Sequence, residues 1–158
     1  KTEPKVWKHE NSKLNFIVKK IKEQCRLKKR ILVFTTFNSE LDYLQNKFKD
    51  TPYKFNYING SVSIDERNKI IADDSIDILA IQIVCGGTGL NLQKYNVAFF
   101  TSPPWNPSLE EQAIARLHRI GQTQQVEIYR VLVHNTIDCY IDSIQRRKNF
   151  IISNYISS

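Results

Sequence analysis

Residues 112–122 read QAIARLHRIGQ, and their spacing sets one glutamine and two arginines on a single helical stripe. Gln112, Arg116 and Arg119 fall at i, i+4 and i+7, which stack on one side of a helix of about 3.6 residues per turn. Ala113, Leu117 and Ile120 are each turned by about 100° from them and give the helix a separate apolar face to bury. The arginines are thus not required for packing. Arginine is always charged, and its planar fork matches phosphate oxygens, so two aligned copies suit a triphosphate whose charge grows during phosphoryl transfer. Taken alone, an R-x-x-R pair is more often a solvated basic helix face.

A second cluster is CGGTGLNL at 85–92, with three glycines within four residues. Such a turn lets backbone amides approach an anion, although GGTG is neither a dinucleotide fingerprint nor a phosphate loop of the G-K-[ST] kind, and many such turns only pack tightly. Thr35 and Thr36 offer hydroxyls at a strand end, where threonine is also simply at home. Trp105 stands between Pro104 and Pro107 on a stiff loop, either near a passing nucleic acid or folded onto the core. His118 has no placed nucleophile or carboxylate and reads as structural. Asp65 and Glu66 mimic the acidic pair of a Walker B motif but begin a capped helix instead of ending an apolar strand.

The elements that must position these residues follow from periodicity. Short β-branched runs alternate with amphipathic helical segments, the pattern of a parallel sheet covered on both faces. Strands are predicted near 31–36, 55–59, 77–83, 96–101 and 126–133. Leu14, Ile17, Val18, Ile21 and Cys25 share one helical face, and Leu41, Leu44 and Phe48 another. Ser63 with Glu66 and Ser108 with Glu111 read as capping boxes opening two further helices. A last helix is expected from about Thr136 into the 150s, burying Ile137, Tyr140, Ile141, Ile144 and Ile151. Residues 1–11 read as a tether. In an open α/β sheet ligands meet the loops beyond the carboxyl ends of the strands, which is where Thr35, Thr36, Gly60, the 86–91 segment and the 103–107 segment fall.

With these residues in place, the chain resembles the Swi/Snf-type DNA-dependent ATPases of the superfamily-two helicases. QAIARLHRIGQ is similar to their motif VI, CGGTGLNL to motif V, and PPWNPSLEEQA at 103–113 to the segment between them. ILVFTTF at 31–37 resembles motif IV, and YINGSVSIDERNKII at 57–71 the glycine-serine turn and arginine-bearing helix that follow it. SKLNFIVKKI at 12–21 matches the lead-in helix. Family members often carry Ala or Ser where this chain has Cys85. The resemblance implies an α/β fold, a RecA-like three-layer sandwich with a central mainly parallel sheet, spanning residues 12–158 as the second helicase lobe, with 1–11 as the linker from a preceding lobe. It implies Arg116 and Arg119 as arginine fingers, Gln112 and Gly89 at the nucleotide, and Thr35, Thr36, Gly60, Gly87, Thr88, Asn91 and Trp105 along a DNA backbone. ATP with Mg2+ would be held mainly by the preceding lobe, and the partner would be duplex DNA, including that of nucleosomes.

Composition sets the outer limits. The chain has 158 residues, enough for one domain, with a net charge of +7 that favours polyanionic partners. Basic residues cluster between Lys19 and Arg30 and again at Arg146, Arg147 and Lys148. Its three cysteines form no C-x-x-C pair, which suggests neither a zinc site nor a disulfide framework and fits a reducing compartment. No apolar run approaches a membrane span and the amino terminus has no signal-peptide character. The expected location is nuclear for a eukaryotic source and cytoplasmic otherwise, as a monomeric lobe. The chain contains no methionine, which reads as a piece of a longer polypeptide. No G-K-[ST] sequence occurs, so hydrolysis of ATP by this chain alone is not expected. Three other readings stay open: a lobe acting on RNA, a non-catalytic docking module, and a Rossmann-type nucleotide binder, which would need a fuller glycine fingerprint after its first strand.

Overall fold

The computed structural model describes residues 3–85, 92–101, 107–117, 126–133, 139–147 and 150–155, with side-chain surroundings within 13–85, 92–101, 111–117 and 126–130. Its sheet runs in the order β2-β3-β1-β4-β5-β6-β7. The first five strands are β1 (Ile31–Thr35), β2 (Phe55–Ile58), β3 (Ile78–Gln82), β4 (Val97–Phe100) and β5 (Val126–Val133). All neighbouring pairs among them are parallel, so their carboxyl ends share one edge. Each lies within about one residue of the run of apolar β-branched residues that predicts it.

Alternate residues of these strands feed two cores. Leu32, Phe34, Leu79, Ile81, Ala98 and Phe100 face one layer, where α4 (Pro107–Leu117) contributes Ala113, Ile114 and Leu117, and α3 (Ile64–Ala72) adds the partly buried Ile70 and Ile71. Ile31, Val33, Ile78, Ala80, Val97 and Phe99 face the other, covered by α1 (Glu3–Arg26) and α2 (Asn38–Phe48) through the apolar faces read from their spacing. This is the three-layer sandwich. Central strand β1 is buried along its whole length, as a strand covered on both faces must be.

Three local expectations are corrected. The helix foreseen from Thr136 is instead two strands, β6 (Cys139–Arg147) and β7 (Phe150–Tyr155), each antiparallel to its neighbour. Ile141, Ile144, Ile151 and Ile152 with Tyr140, Phe150 and Tyr155 are strand formers. β6 also pairs along the whole of β5, which would otherwise present an open edge. The helical spacing of Tyr140, Ile141 and Ile144 loses to both effects; Ile137 lies outside the described residues. Second, α4 begins at Pro107, so Ser108 stands inside the helix and does not cap it. Proline fits the first helical position because the missing N–H has no intrahelical acceptor there. Third, α1 starts at Glu3, so most of the segment read as a tether continues the first helix.

Candidate functional site

The carboxyl edge of the parallel sheet carries the candidate site, and its loops are fixed by polar side chains. After β1, the carboxylate of Glu40 accepts the backbone N–H of Thr36 at 2.8 Å and of Phe37 at 2.9 Å. Glu40 sits in the first turn of α2 and is fully buried. Gln82 Nε2, from the end of β3, donates to the Thr36 carbonyl at 3.4 Å. Thr35, however, is fully buried and its Oγ1 has no hydrogen-bond partner among the described residues. In this conformation its hydroxyl has no surface to offer a DNA backbone, whereas Thr36 is half-buried. The strand end explains the difference, since Thr35 is the last residue of β1, which is covered on both faces, and Thr36 lies in the turn beyond it.

After β2, Asn59 Oδ1 accepts from the Ser61 N–H at 3.0 Å and from Ser61 Oγ at 2.7 Å, forming an Asx-type turn around Gly60. Asn59 Nδ2 donates to Asn38 Oδ1 at 3.2 Å, which joins this turn to the start of α2. Ser63 Oγ accepts the Glu66 N–H at 3.2 Å, as its capping role requires. Asp65 and Glu66 lie exposed in the first turn of α3, consistent with a helix start and not a metal-binding strand end. Arg67 reaches back from α3: its Nε donates to the Val62 carbonyl at 3.1 Å and its Nη2 to the Asn59 carbonyl at 3.3 Å. Nη2 also meets Cys85 Sγ at 3.8 Å, in the short 3-10 turn after β3.

On α4, Ala113, Ile114 and Leu117 are buried against the sheet while Gln112 is exposed and Arg116 is half-buried. The Nε of Arg116 is buried with no hydrogen-bond partner among the described residues. Arg119, His118 and Ile120 lie outside the described residues, as do Gly87, Thr88, Gly89, Asn91 and Trp105. The structure therefore places Thr35, Thr36, Gly60, Gln112 and Arg116 and brings the first three to one edge. Three of the exposed large apolar side chains, Phe37, Ile64 and Val84, flank the same edge.

A model of the helicase conserved C-terminal domain matches residues 12–121. The chain belongs to that family. It is a helicase C-terminal lobe of the Swi/Snf-related, superfamily-two kind: it is 33% identical over 148 residues to DNA repair protein RAD5A of Arabidopsis thaliana, covering 91% of this chain and 14% of that protein. To DNA repair protein RAD5 of Saccharomyces cerevisiae it is 32% identical over 156 residues, covering 89% of the chain and 13% of the relative. The crystal structure of the C-terminal part of the Fun30 ATPase domain superposes with a TM-score of 0.68 at 30% identity, covering 75% of this chain and 39% of that one. The lobe thus spans about one seventh of the length of these curated relatives.

Burial, then a hydrogen bond to Glu127, raises the Tyr129 hydroxyl within β5 well above its usual range, and three further groups with displaced titration lie away from the site edge. Burial pushes the Cys25 thiol at the end of α1 up to about 11, with a lesser contribution from the Asp77 carboxylate. Burial likewise raises the Tyr95 hydroxyl, just before β4, to about 12. Hydrogen bonds from Ser75, then Lys54, hold Asp73 well below the usual carboxylate range. All three precede the amino ends of strands, so these shifts belong to the structural support of the lobe and not to its chemistry. Among the described residues no helix is long and apolar enough to cross a membrane.

Glu40, Gln82 and Arg67 were not evident as site residues in the sequence. Glu40 had a signal, an acid three residues after a strand-ending turn, but Phe37 cannot supply the side-chain half of a capping box. Arg67 is marked only as the arginine of an amphipathic helix, because its acceptors are two carbonyls and a thiol that strand adjacency brings near it.

Proposed function

We propose that this lobe is the second motor lobe of an ATP-dependent duplex-DNA translocase serving chromatin remodelling, DNA repair or transcription. The observation that carries the reading is Arg116, a guanidinium on the motif VI helix whose buried Nε has no acceptor among the described residues. A buried donor left without a partner costs about 1–3 kcal/mol, which favours a site that a ligand completes. Arg119 lies one turn further on in the sequence, and the two forks would meet the phosphates of ATP held by a preceding lobe, with Gln112 and Gly89 beside the nucleotide. The Mg2+ that accompanies ATP would be held mainly by that lobe.

Closure of the cleft around ATP would bring the arginines against the transferring phosphoryl group, and hydrolysis would reopen it. Thr36, Gly60, Gly87, Thr88, Asn91 and Trp105 would grip the DNA backbone. Alternate grip and release by two lobes moves the protein along a duplex with little sequence preference. The exposed Phe37, Ile64 and Val84 suit an edge that another lobe or a nucleic acid covers. The similarity to DNA repair proteins supports DNA as the substrate and a nuclear setting in a eukaryote; nucleosomal DNA would be one form of that substrate.

The test is ATP turnover by the full-length protein with no nucleic acid, duplex DNA, single strands or RNA. Strong stimulation by duplex DNA is expected, and Arg119→Ala or Arg116→Ala should lower it by on the order of 10³-fold. Stimulation that survives either substitution would remove the arginine-finger assignment, and a preference for RNA would replace the substrate.

A further inference from the structure

Arg67 has no part in the reading above, yet it joins the turn after β2, a proposed contact loop, to the end of β3. Its Nε and Nη2 donate to the Val62 and Asn59 carbonyls, the two ends of the turn that contains Gly60. The same Nη2 meets Cys85 Sγ, and Cys85 is the first residue of the CGGTGLNL run. A guanidinium can do this because its donors are fixed in one plane and it stays charged at every working pH, whereas a lysine ammonium has no such fork.

The packing around it gives this bridge weight. Helix α3 buries none of its residues, and only Ile70 and Ile71 lean against the core. Apolar packing therefore does little to fix the turn between β2 and α3 relative to β3. Capping of α3 is met separately by Ser63, so Arg67 is not required to start the helix. What it adds is a connection across the sheet edge, continued from Asn59 to Asn38 at the head of α2.

We propose that Arg67 is a positioning residue that couples the Asn59–Val62 turn to Cys85 at the carboxyl end of β3, so that DNA engaged at the turn also sets the end of that strand. The proposal rests on the translocase reading for its biological meaning but not for its physical test. In the full-length protein, Arg67→Gln should leave DNA-independent ATP turnover near the wild-type value while stimulation by duplex DNA falls about tenfold, a size typical of coupling between sites. Arg67→Lys should recover only part of the stimulation, and Cys85→Ala, which removes the sulfur acceptor alone, should give a smaller loss.

Hydrogen exchange supplies the second readout. In the wild type, duplex DNA should slow exchange at the amides of 59–62 and 83–85 together; in Arg67→Gln protection of the two should no longer move together. A merely structural arginine would lower the melting temperature without separating basal from stimulated turnover. Unchanged stimulation with both segments still protected together would overturn the proposal. If the wild type is not stimulated by DNA, the translocase reading fails on its own, and exchange without DNA decides the bridge: faster exchange of both segments in Arg67→Gln supports it, and no change refutes it. Should Arg67→Gln fail to fold, Arg67→Lys and Cys85→Ala carry the same comparisons.

Discussion

The buried carboxylate of Glu40 accepts the backbone N–H of Thr36 at 2.8 Å and so holds the turn by which the chain leaves the central strand. The same oxygen takes the Phe37 N–H, while Oε2 is buried with no hydrogen-bond partner among the described residues. Removing the acceptor strands two amides, and a lost charge-assisted bond in a partly buried setting costs about 1–3 kcal/mol. Glu40→Ala should therefore lower the free energy of unfolding by that much, read as a fall in the urea midpoint. Glu40→Gln keeps one acceptor oxygen and removes the buried charge, so its loss should be smaller. An alanine variant as stable as the wild type would mean that the turn is held by other contacts.

The Cys25 thiol, buried on the inner face of α1 and raised to about 11, predicts an alkaline loss of stability. A folded value above the unfolded one, near 8.5 for a free thiol, means that the unfolded chain gives up this proton first. Between those values the folded state binds more protons, so stability falls as pH rises through the window from about 8.5 to about 11, and below it the contribution is constant. Thermal unfolding followed across that range should show a declining melting temperature. Cys25→Ala removes the titrating group, and its profile should be flatter at the lower end of the window, before tyrosines ionise. Parallel profiles for the two proteins would assign the alkaline loss elsewhere.

Much of this architecture was legible because the physics of its elements is local. β1, β3 and β4 are runs of apolar residues that no amphipathic helix would show, and the faces of α1 and α2 repeat at helical spacing through Leu14, Ile17, Ile21, Leu41, Leu44 and Phe48, all of which are buried. The segment beyond β5 misled for a physical reason. Tyr140, Ile141 and Ile144 satisfy helical spacing, but β-branched side chains serve a strand equally well, and only the open edge of β5 decides between them. At the site, QAIARL was readable as a helix with a buried apolar face, since Ala113 and Leu117 pack against the sheet and Gln112 does not. The contrast between buried Thr35 and half-buried Thr36 was not readable, because it depends on which neighbour covers each face of a strand end. Glu40 and Arg67 escaped notice because backbone groups accept or donate their bonds, and backbone leaves no pattern in a sequence.

Gly60 offers a test that separates a glycine needed for folding from one needed for contact. It is exposed, a Cβ built on it would meet nothing within 4 Å, and its φ lies outside the left-handed region. Neither sterics nor backbone conformation requires glycine there. Alanine at a compatible position narrows the unfolded ensemble and stabilises by about 0.4–1 kcal/mol, so Gly60→Ala should unfold at an equal or slightly higher urea concentration. A DNA backbone resting on this turn would nevertheless meet the added methyl. The full-length Gly60→Ala protein should then need more duplex DNA to reach half-maximal ATP turnover, with its DNA-independent rate unchanged. If the DNA requirement stays the same while stability behaves as expected, the turn does not touch the backbone, and the contacts at this edge fall to Thr36 and the glycine-rich run alone.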